Sequence, residues 1–186
     1  MAWKQKRRIM HRYDQSARVY DIQYFEEQEA KMKTVMQNVS LHQNGTALDV
    51  GCGTGLLFKH LTNKAESIVG LDISRGLLIE AKKKMQGHQD ISLIQADADN
   101  LPFIEKTFSS VFAVTLVQNT PNVDTALTEI KRVSKPTALI VVTGLKKKFS
   151  REDFLKMLDR AGLKVETIEI DPQNREYVCI CRMALR

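Results

Sequence analysis

Cysteine is scarce in this chain. Cys52, Cys179 and Cys181 are the only three in 186 residues, and they form no CxxC pair and no even-numbered framework. That excludes a disulfide scaffold and points to a reducing compartment, the cytoplasm. Cys179 and Cys181 alternate in an apolar stretch, the spacing of two core residues on one face of a strand. Long apolar runs are missing too. The uncharged run 108–123 contains Ser, Thr, Gln, Asn and Pro and falls short of the roughly 18 apolar residues that a membrane span needs. The N-terminus has no apolar core for secretion, and Asp14 and Asp21 argue against a transit peptide. Repeats and low-complexity tracts are absent. The four histidines, His11, His42, His60 and His88, are scattered and form no dyad. No catalytic residue and no metal site are therefore assigned.

What is present is a charge imbalance. The formal net charge is +6, and most of it sits in the first 18 residues. Lys4, Lys6, Arg7, Arg8, Arg12 and Arg18 stand there against Asp14 alone. The rest of the chain is nearly neutral. A basic arm of this kind either attracts phosphates, with RNA as the partner, or is one solvated face of a helix.

The length suits one domain, residues 1–186, with an N-terminal helical arm or lid over 1–44 and a core over 45–186. Residues 26–39 read as a helix from apolar Met32, Val35, Met36 and Val39 at 3–4 spacing. His42, Gln43, Asn44 and Gly45 make a turn. Apolar runs too short for helices follow at 47–50, 68–71, 91–94, 111–117 and 138–142. Helix-compatible stretches at 56–63, 74–85 and 123–133, and a short turn near 100–105, separate them. Such alternation predicts an α/β fold, a mostly parallel sheet covered by helices on both faces. Ser150 starts a further helix, with Asp153 bonding back, Phe149 stapled to Phe154, and Gly162 at its end. Strands at 163–170 and 176–183 are joined by the short linker 171–174, so they pair antiparallel. The expectation is a Rossmann-like three-layer sandwich with seven strands, one of them antiparallel near the C-terminus.

The densest signal is ALDVGCGTG, residues 47–55. It places Gly51, Gly53 and Gly55 where the first strand turns into a helix, and a turn without side chains lets backbone approach a ligand. A dinucleotide turn would read GxGxxG, but here GxGxG leaves Leu56 at the third position. No GKS or GKT follows, so a P-loop is excluded. Asp72 ends the second strand, where a carboxylate can accept from ribose hydroxyls. Asp97 and Ala98 end the third strand, beside Leu101 and Pro102, a setting for an adenine amino group and a flat base.

These residues resemble the class I S-adenosylmethionine-dependent methyltransferases, in the subgroup that includes the ubiquinone and menaquinone biosynthesis enzymes. LDVGCGTG resembles the family's first motif, LDIS its second strand end, and ADADNLPF its adenine turn. LTEIKRVSKP at 127–136 resembles its helix and turn after the fourth strand, and Tyr13-Asp14 and Tyr20-Asp21 resemble its N-terminal YD segment. Ser109 replaces the usual Asp, Thr137-Ala138 replaces a double glycine, and the loop 115–121 lacks the paired residues often found there.

The resemblance implies S-adenosylmethionine as cofactor, with Gly51, Cys52, Gly53 and Gly55 wrapping it. Asp49 would orient the loop and the methionine end, Asp72 and Ile73 would hold the ribose, and Asp97 and Ala98 the adenine. Thr115 would border the methionine portion, and Tyr20 would cover it. Gln118 and Asn119 are candidates for orienting an acceptor or for capping the next helix. The methyl acceptor does not follow from these motifs and stays open among RNA, a protein and a small molecule. Two alternatives stand beside methyl transfer: a cofactor-binding regulatory subunit without chemistry, and a nicotinamide oxidoreductase.

Overall fold

A computed structural model describes residues 2–41, 45–169 and 175–184. The expected turn residues His42, Gln43 and Asn44 and the linker 171–174 lie outside the described residues.

The longest element is α1 (Ala2–Gln37). Its start differs from the expected position 26. The whole span lacks Gly and Pro, so nothing interrupts it. Its first half carries a sparser repeat, Ile9, Tyr13, Ala17 and Tyr20 at 3–4 spacing, whose inner side is shared with the polar Lys6, Asp14 and Asp21 described below.

Strands β1 (Thr46–Val50), β2 (Ser67–Asp72) and β3 (Ile91–Gln95) alternate with α2 (Phe58–Leu61) and α3 (Arg75–Lys84). Then come β4 (Phe108–Ala113), a 3₁₀ turn (Val117–Asn119), α4 (Val123–Val133), β5 (Ser134–Leu145) and α5 (Arg151–Arg160). Strands β6 (Leu163–Glu169) and β7 (Glu176–Met183) complete the order. Ser74 caps α3 by accepting from Leu77 N–H at 3.2 Å. Ser150 caps α5 by accepting from Asp153 N–H at 3.1 Å, and the Phe149 and Phe154 rings meet at 5.7 Å. Strand β4 stops at Ala113, short of the expected 117, because Thr115 leaves the extended region with φ +61°.

The seven strands run β3-β2-β1-β4-β5-β7-β6, and β7 is antiparallel to both its neighbours. One core cluster packs α4 and α5 on the sheet through Leu127, Ile130, Phe154 and Leu158. The other packs α1, α2 and α3 on the opposite face through Val35, Leu57, Leu61 and Leu78. Apolar burial on both faces makes the central strands near-continuous hydrophobic runs. Cys179 and Cys181 are fully buried in the first cluster, as strand periodicity requires. The strand order reverses between β1 and β4, which opens a crevice beyond their carboxyl ends.

Candidate cofactor site

The crevice is a cleft of about 970 Å³ measured out to its mouth. The glycine turn forms one wall. Gly51 and Gly53 have φ of +77° and +56°, conformations that an L side chain resists. The N–H groups of Gly51 and Cys52 donate to Leu71 O at 2.7 and 2.9 Å, which hangs the turn on the end of β2. A side chain at Gly53 would meet no atom within 4 Å, so that position opens onto space a ligand can fill. Gly55 has another use. It is not among the residues lining the cleft, and a Cβ there would sit 2.5 Å from the Phe58 ring.

Asp72 is buried and bonded to protein. Its oxygens accept from Gly53 N–H at 2.9 Å and Ser74 N–H at 2.8 Å. It thus joins the glycine turn to the cap of α3. Burial holds its pKa above the ordinary value, against the pull of those backbone donors. Asp49 lines the same cleft, buried, and its carboxylate makes no hydrogen bond among the described residues. Burial, and then the nearby Asp72 charge, push its pKa up to about 8. Two buried carboxylates in one cleft create a deficit of positive charge.

Tyr20, Cys52, Ile73, Asp97, Ala98 and Thr115 also line the cleft. Tyr20 stands with Tyr13, ring centroids 6.1 Å apart, and burial raises the pKa of both phenols. The Cys52 thiol is raised by burial as well, so it is a wall and not a nucleophile. Gln118 and Asn119 do not cap α4. The Gln118 amide donates to Glu176 at 3.0 Å and the Asn119 amide to Thr115 O at 2.9 Å.

Helix α1 crosses this cleft, and its contacts were hidden from sequence reasoning. Lys6 donates to Asp97 at 2.7 Å and also to Asp99, at the end of β3. Burial alone would lower its pKa, but the two carboxylates raise it above the ordinary value. Lys6 therefore does not belong with the outward basic residues of the arm. Asp14 accepts from Ser74 Oγ at 2.6 Å and Gly76 N–H at 2.8 Å, after β2. A Cβ on Gly76 would lie 2.9 Å from the Asp14 backbone, so a glycine is what lets the two helices meet. Asp21 accepts from Thr54 Oγ1 in the glycine turn and pairs with Lys84. Farther along, Lys31 reaches Thr115, just after β4, and Glu176, the first residue of β7. The signals available were a spacing of seven to ten between these polar residues and the repeat Ile9, Tyr13, Ala17 and Tyr20 on the same side.

A profile described as methyltransferase domain matches residues 48–142, about half of the chain. The chain belongs to the methyltransferase domain family. Membership carries S-adenosylmethionine as the cofactor and removes the nicotinamide alternative that the glycine spacing already disfavoured. The demethylmenaquinone methyltransferase of Staphylococcus epidermidis is 32% identical over 136 residues, 72% of this chain and 55% of that protein. That of Staphylococcus aureus is 31% identical over the same length. The chain thus spans about half the length of the curated relatives it matches.

Among solved structures, a putative methyltransferase in complex with the Haloferax volcanii Trm112 methyltransferase activator superposes with a TM-score of 0.84. It is 16% identical, and the match covers 96% of this chain and 98% of that one. An S-adenosylmethionine-dependent methyltransferase from Aquifex aeolicus gives 0.73 at 18% identity, over 83% and 89%. The [4+2]-cyclase SpnF gives 0.77 at 18%, over 84% and 81%. These likenesses establish the fold, and the cyclase shows that the fold alone does not set the reaction.

The residues present fit the cofactor. Gly53 leaves the open cradle, and Asp49 is an unpaired buried carboxylate in a cleft short of positive charge. A ligand carrying a sulfonium and an ammonium supplies what Asp49 and Asp72 lack.

Proposed function

We propose that this protein transfers a methyl group from S-adenosylmethionine to an acceptor admitted beneath α1. The observation that carries this is the unpaired Asp49 carboxylate beside the open Gly53 cradle. Asp49 binds the cationic methionine end, Asp72 and Ile73 the ribose, Asp97 and Ala98 the adenine. Thr115 borders the methionine portion. When bound, the cofactor supplies an electrophilic methyl and its own leaving group. The protein's work is position: walls that hold the nucleophile in line, which can lower a barrier by roughly 7–11 kcal/mol. The first half of α1, with Tyr13 and Tyr20 on its inner side, is the lid of a single unit and keeps water out. A reducing compartment, the cytoplasm, is the setting that the three free cysteines support.

The acceptor we propose is RNA. Lys4, Arg7, Arg8, Arg12 and Arg18 are exposed on the outer side of α1, and none is ion-paired among the described residues. The observation against a membrane partner is only that no described helix is long and apolar enough to cross one, so vesicles serve as the control.

Two measurements test these readings. Calorimetry should show S-adenosylmethionine and its demethylated product sharing one site, with NAD much weaker; preferential NAD binding overturns the cofactor. RNA binding should weaken with salt at a logarithmic slope near −0.7 per phosphate contact, and replacing the five basic residues should flatten it. No salt-sensitive RNA binding, or stronger binding to anionic vesicles, removes RNA. A screen of labelled methyl transfer into fractionated extract then identifies the acceptor.

A further inference from the structure

Behind the cleft, where its wall joins the antiparallel end of the sheet, lies a buried polar cluster. Lys31 of α1 and Glu176 of β7 form an ion pair at 2.8 Å, and both side chains are 1% exposed. Lys31 also donates to Thr115 Oγ1 at 2.7 Å. Glu176 accepts from Gln118 Nε2 at 3.0 Å, from Thr115 Oγ1 at 3.3 Å and, through its other oxygen, from Thr143 Oγ1. Thr143 Oγ1 in turn accepts from Thr115 N–H at 2.8 Å. Both ends of Thr115, amide and hydroxyl, are thus gripped by one network.

Thr115 needs gripping. Its φ of +61° is an outlier for a β-branched residue, and such conformations persist only where the surroundings over-determine them. The network even leaves the buried Gln118 Oε1 without a partner so that Gln118 Nε2 can serve Glu176. A buried ion pair of this kind is a poor stabiliser compared with apolar packing. What it provides is a fixed arrangement. Thr115 stands second in the wall 114–121, whose Leu116, Asn119, Thr120 and Pro121 also line the cleft. Leu116 Cδ1 lies 3.0 Å from the place a Cβ would take on Gly51. The wall is therefore pinned at Thr115 by Lys31 and Glu176, and the adjacent Leu116 rests on the glycine turn.

We propose that Lys31 and Glu176 are positioning residues that hold Thr115 in its left-handed conformation and so set the wall against which the methyl acceptor is aligned. The inference rests on the methyltransferase reading of the cleft. It assigns the pair to acceptor alignment, not to cofactor affinity, which Asp49 and Asp72 supply from the opposite wall.

The test uses the full chain with Lys31→Met and Glu176→Gln together, because removing one partner alone strands a buried charge. Hydrogen exchange at the Thr115 and Asn119 amides should accelerate by about tenfold or more, as local opening becomes easier, while Gly51 and Cys52 keep their protection. Affinity for the demethylated cofactor should fall by a smaller factor than kcat, because Asp49 and Asp72 hold it from the opposite wall and Thr115 only borders its methionine portion. With an acceptor from the screen, kcat should fall by about 10–100-fold, the scale of a 1 Å misplacement. In a Thr115→Gly background the same pair of substitutions should accelerate Asn119 exchange far less, since glycine takes this φ unaided. Unchanged exchange at Thr115 and Asn119 overturns the proposal, and so does acceleration shared equally by the glycine turn. Should the double variant not fold, Thr115→Val removes the gripped hydroxyl and must loosen Asn119 in the same way. A wild type that transfers no methyl group sinks the functional reading, whereas the exchange measurements need no turnover and still decide the positioning role.

Discussion

The two halves of α1 are one unbroken helix attached by different physics. The second half is part of the core. Met32 and Val35 are buried among Leu57, Leu61 and Leu78, and Lys31 is sealed against Glu176. The first half is attached by discrete polar contacts: Lys6 to Asp97 and Asp99, Asp14 to Ser74 and Gly76, and Asp21 to Thr54 and Lys84. Ala17 is its one buried apolar side chain among the described residues, with Ile9, Tyr13 and Tyr20 half-buried. Apolar burial is continuous and weakly directional, so it anchors an element permanently. A few polar bonds are directional and replaceable by water, so they close an element that must also open. The difference suits a helix that is anchored at one end and lets a ligand in at the other.

The largest effect should come from the anchored half. Met32→Ala is expected to cost about 2–5 kcal/mol through lost burial and the cavity left behind, read as a lower urea midpoint for the whole chain. Lys6→Met should change global stability by less than about 1 kcal/mol, because Asp97 and Asp99 regain water once the first half lifts. It should nevertheless speed exchange of amides 3–22. Equal effects on the urea midpoint would erase the distinction between the halves.

Asp72→Ala comes next. Hydrogen bonds to a charged acceptor contribute about 1.5–3 kcal/mol, so cofactor affinity should fall by about 10–150-fold in calorimetry. The loss includes the glycine turn, since Asp72 holds Gly53 N–H. A folded Asp72→Ala protein with unchanged affinity removes Asp72 from the site.

A third effect is set by pH and asks whether the first half of α1 keeps the cleft dry. Asp49 has a folded pKa of about 8, raised from an ordinary unfolded value near 4. The folded ligand-free protein therefore binds the extra proton between those values. That contribution to stability is full below about pH 4 and is lost as pH rises toward 8. A cationic ligand favours the ionised form, so its affinity should rise by up to about tenfold per pH unit below 8 and then level off. Asp49→Asn should abolish the slope, and Lys6→Met should shift the inflection downward by letting water in. A slope in wild type that ends near pH 4 would mean that the cleft is open.

The smallest effect is expected at Lys84. Its pair with Asp21 is about one-third exposed on each side, and such pairs are worth up to about 1 kcal/mol. Lys84→Ala, or high salt, should only modestly raise protease cleavage within residues 3–22. A large rise would move the hinge of the lid to this contact.

Much of this was legible from the chain alone. The apolar runs place β1 and β2, because a strand buried on both faces must be hydrophobic throughout, whereas the edge strand β6 shows itself by alternation of apolar and charged residues. Ser150 and Gly162 bracket α5 because caps are local chemistry. The glycine turn and Asp72 are readable because a close backbone approach removes side chains within a few residues of one another. In the first half of α1 the spacing of Ile9, Tyr13, Ala17 and Tyr20 marks an inner side, but what Lys6, Asp14 and Asp21 do on it was not legible, since their partners stand 33 to 93 positions away. Lys31 and Glu176 are separated by 145 residues, and the left-handed Thr115 looks from sequence like the middle of a strand. Local patterns record what neighbours in the chain require of each other. A buried charge requires a partner in space, and only the packing of α1 across the ends of β3, β2, β1 and β4 decided which partner each one has.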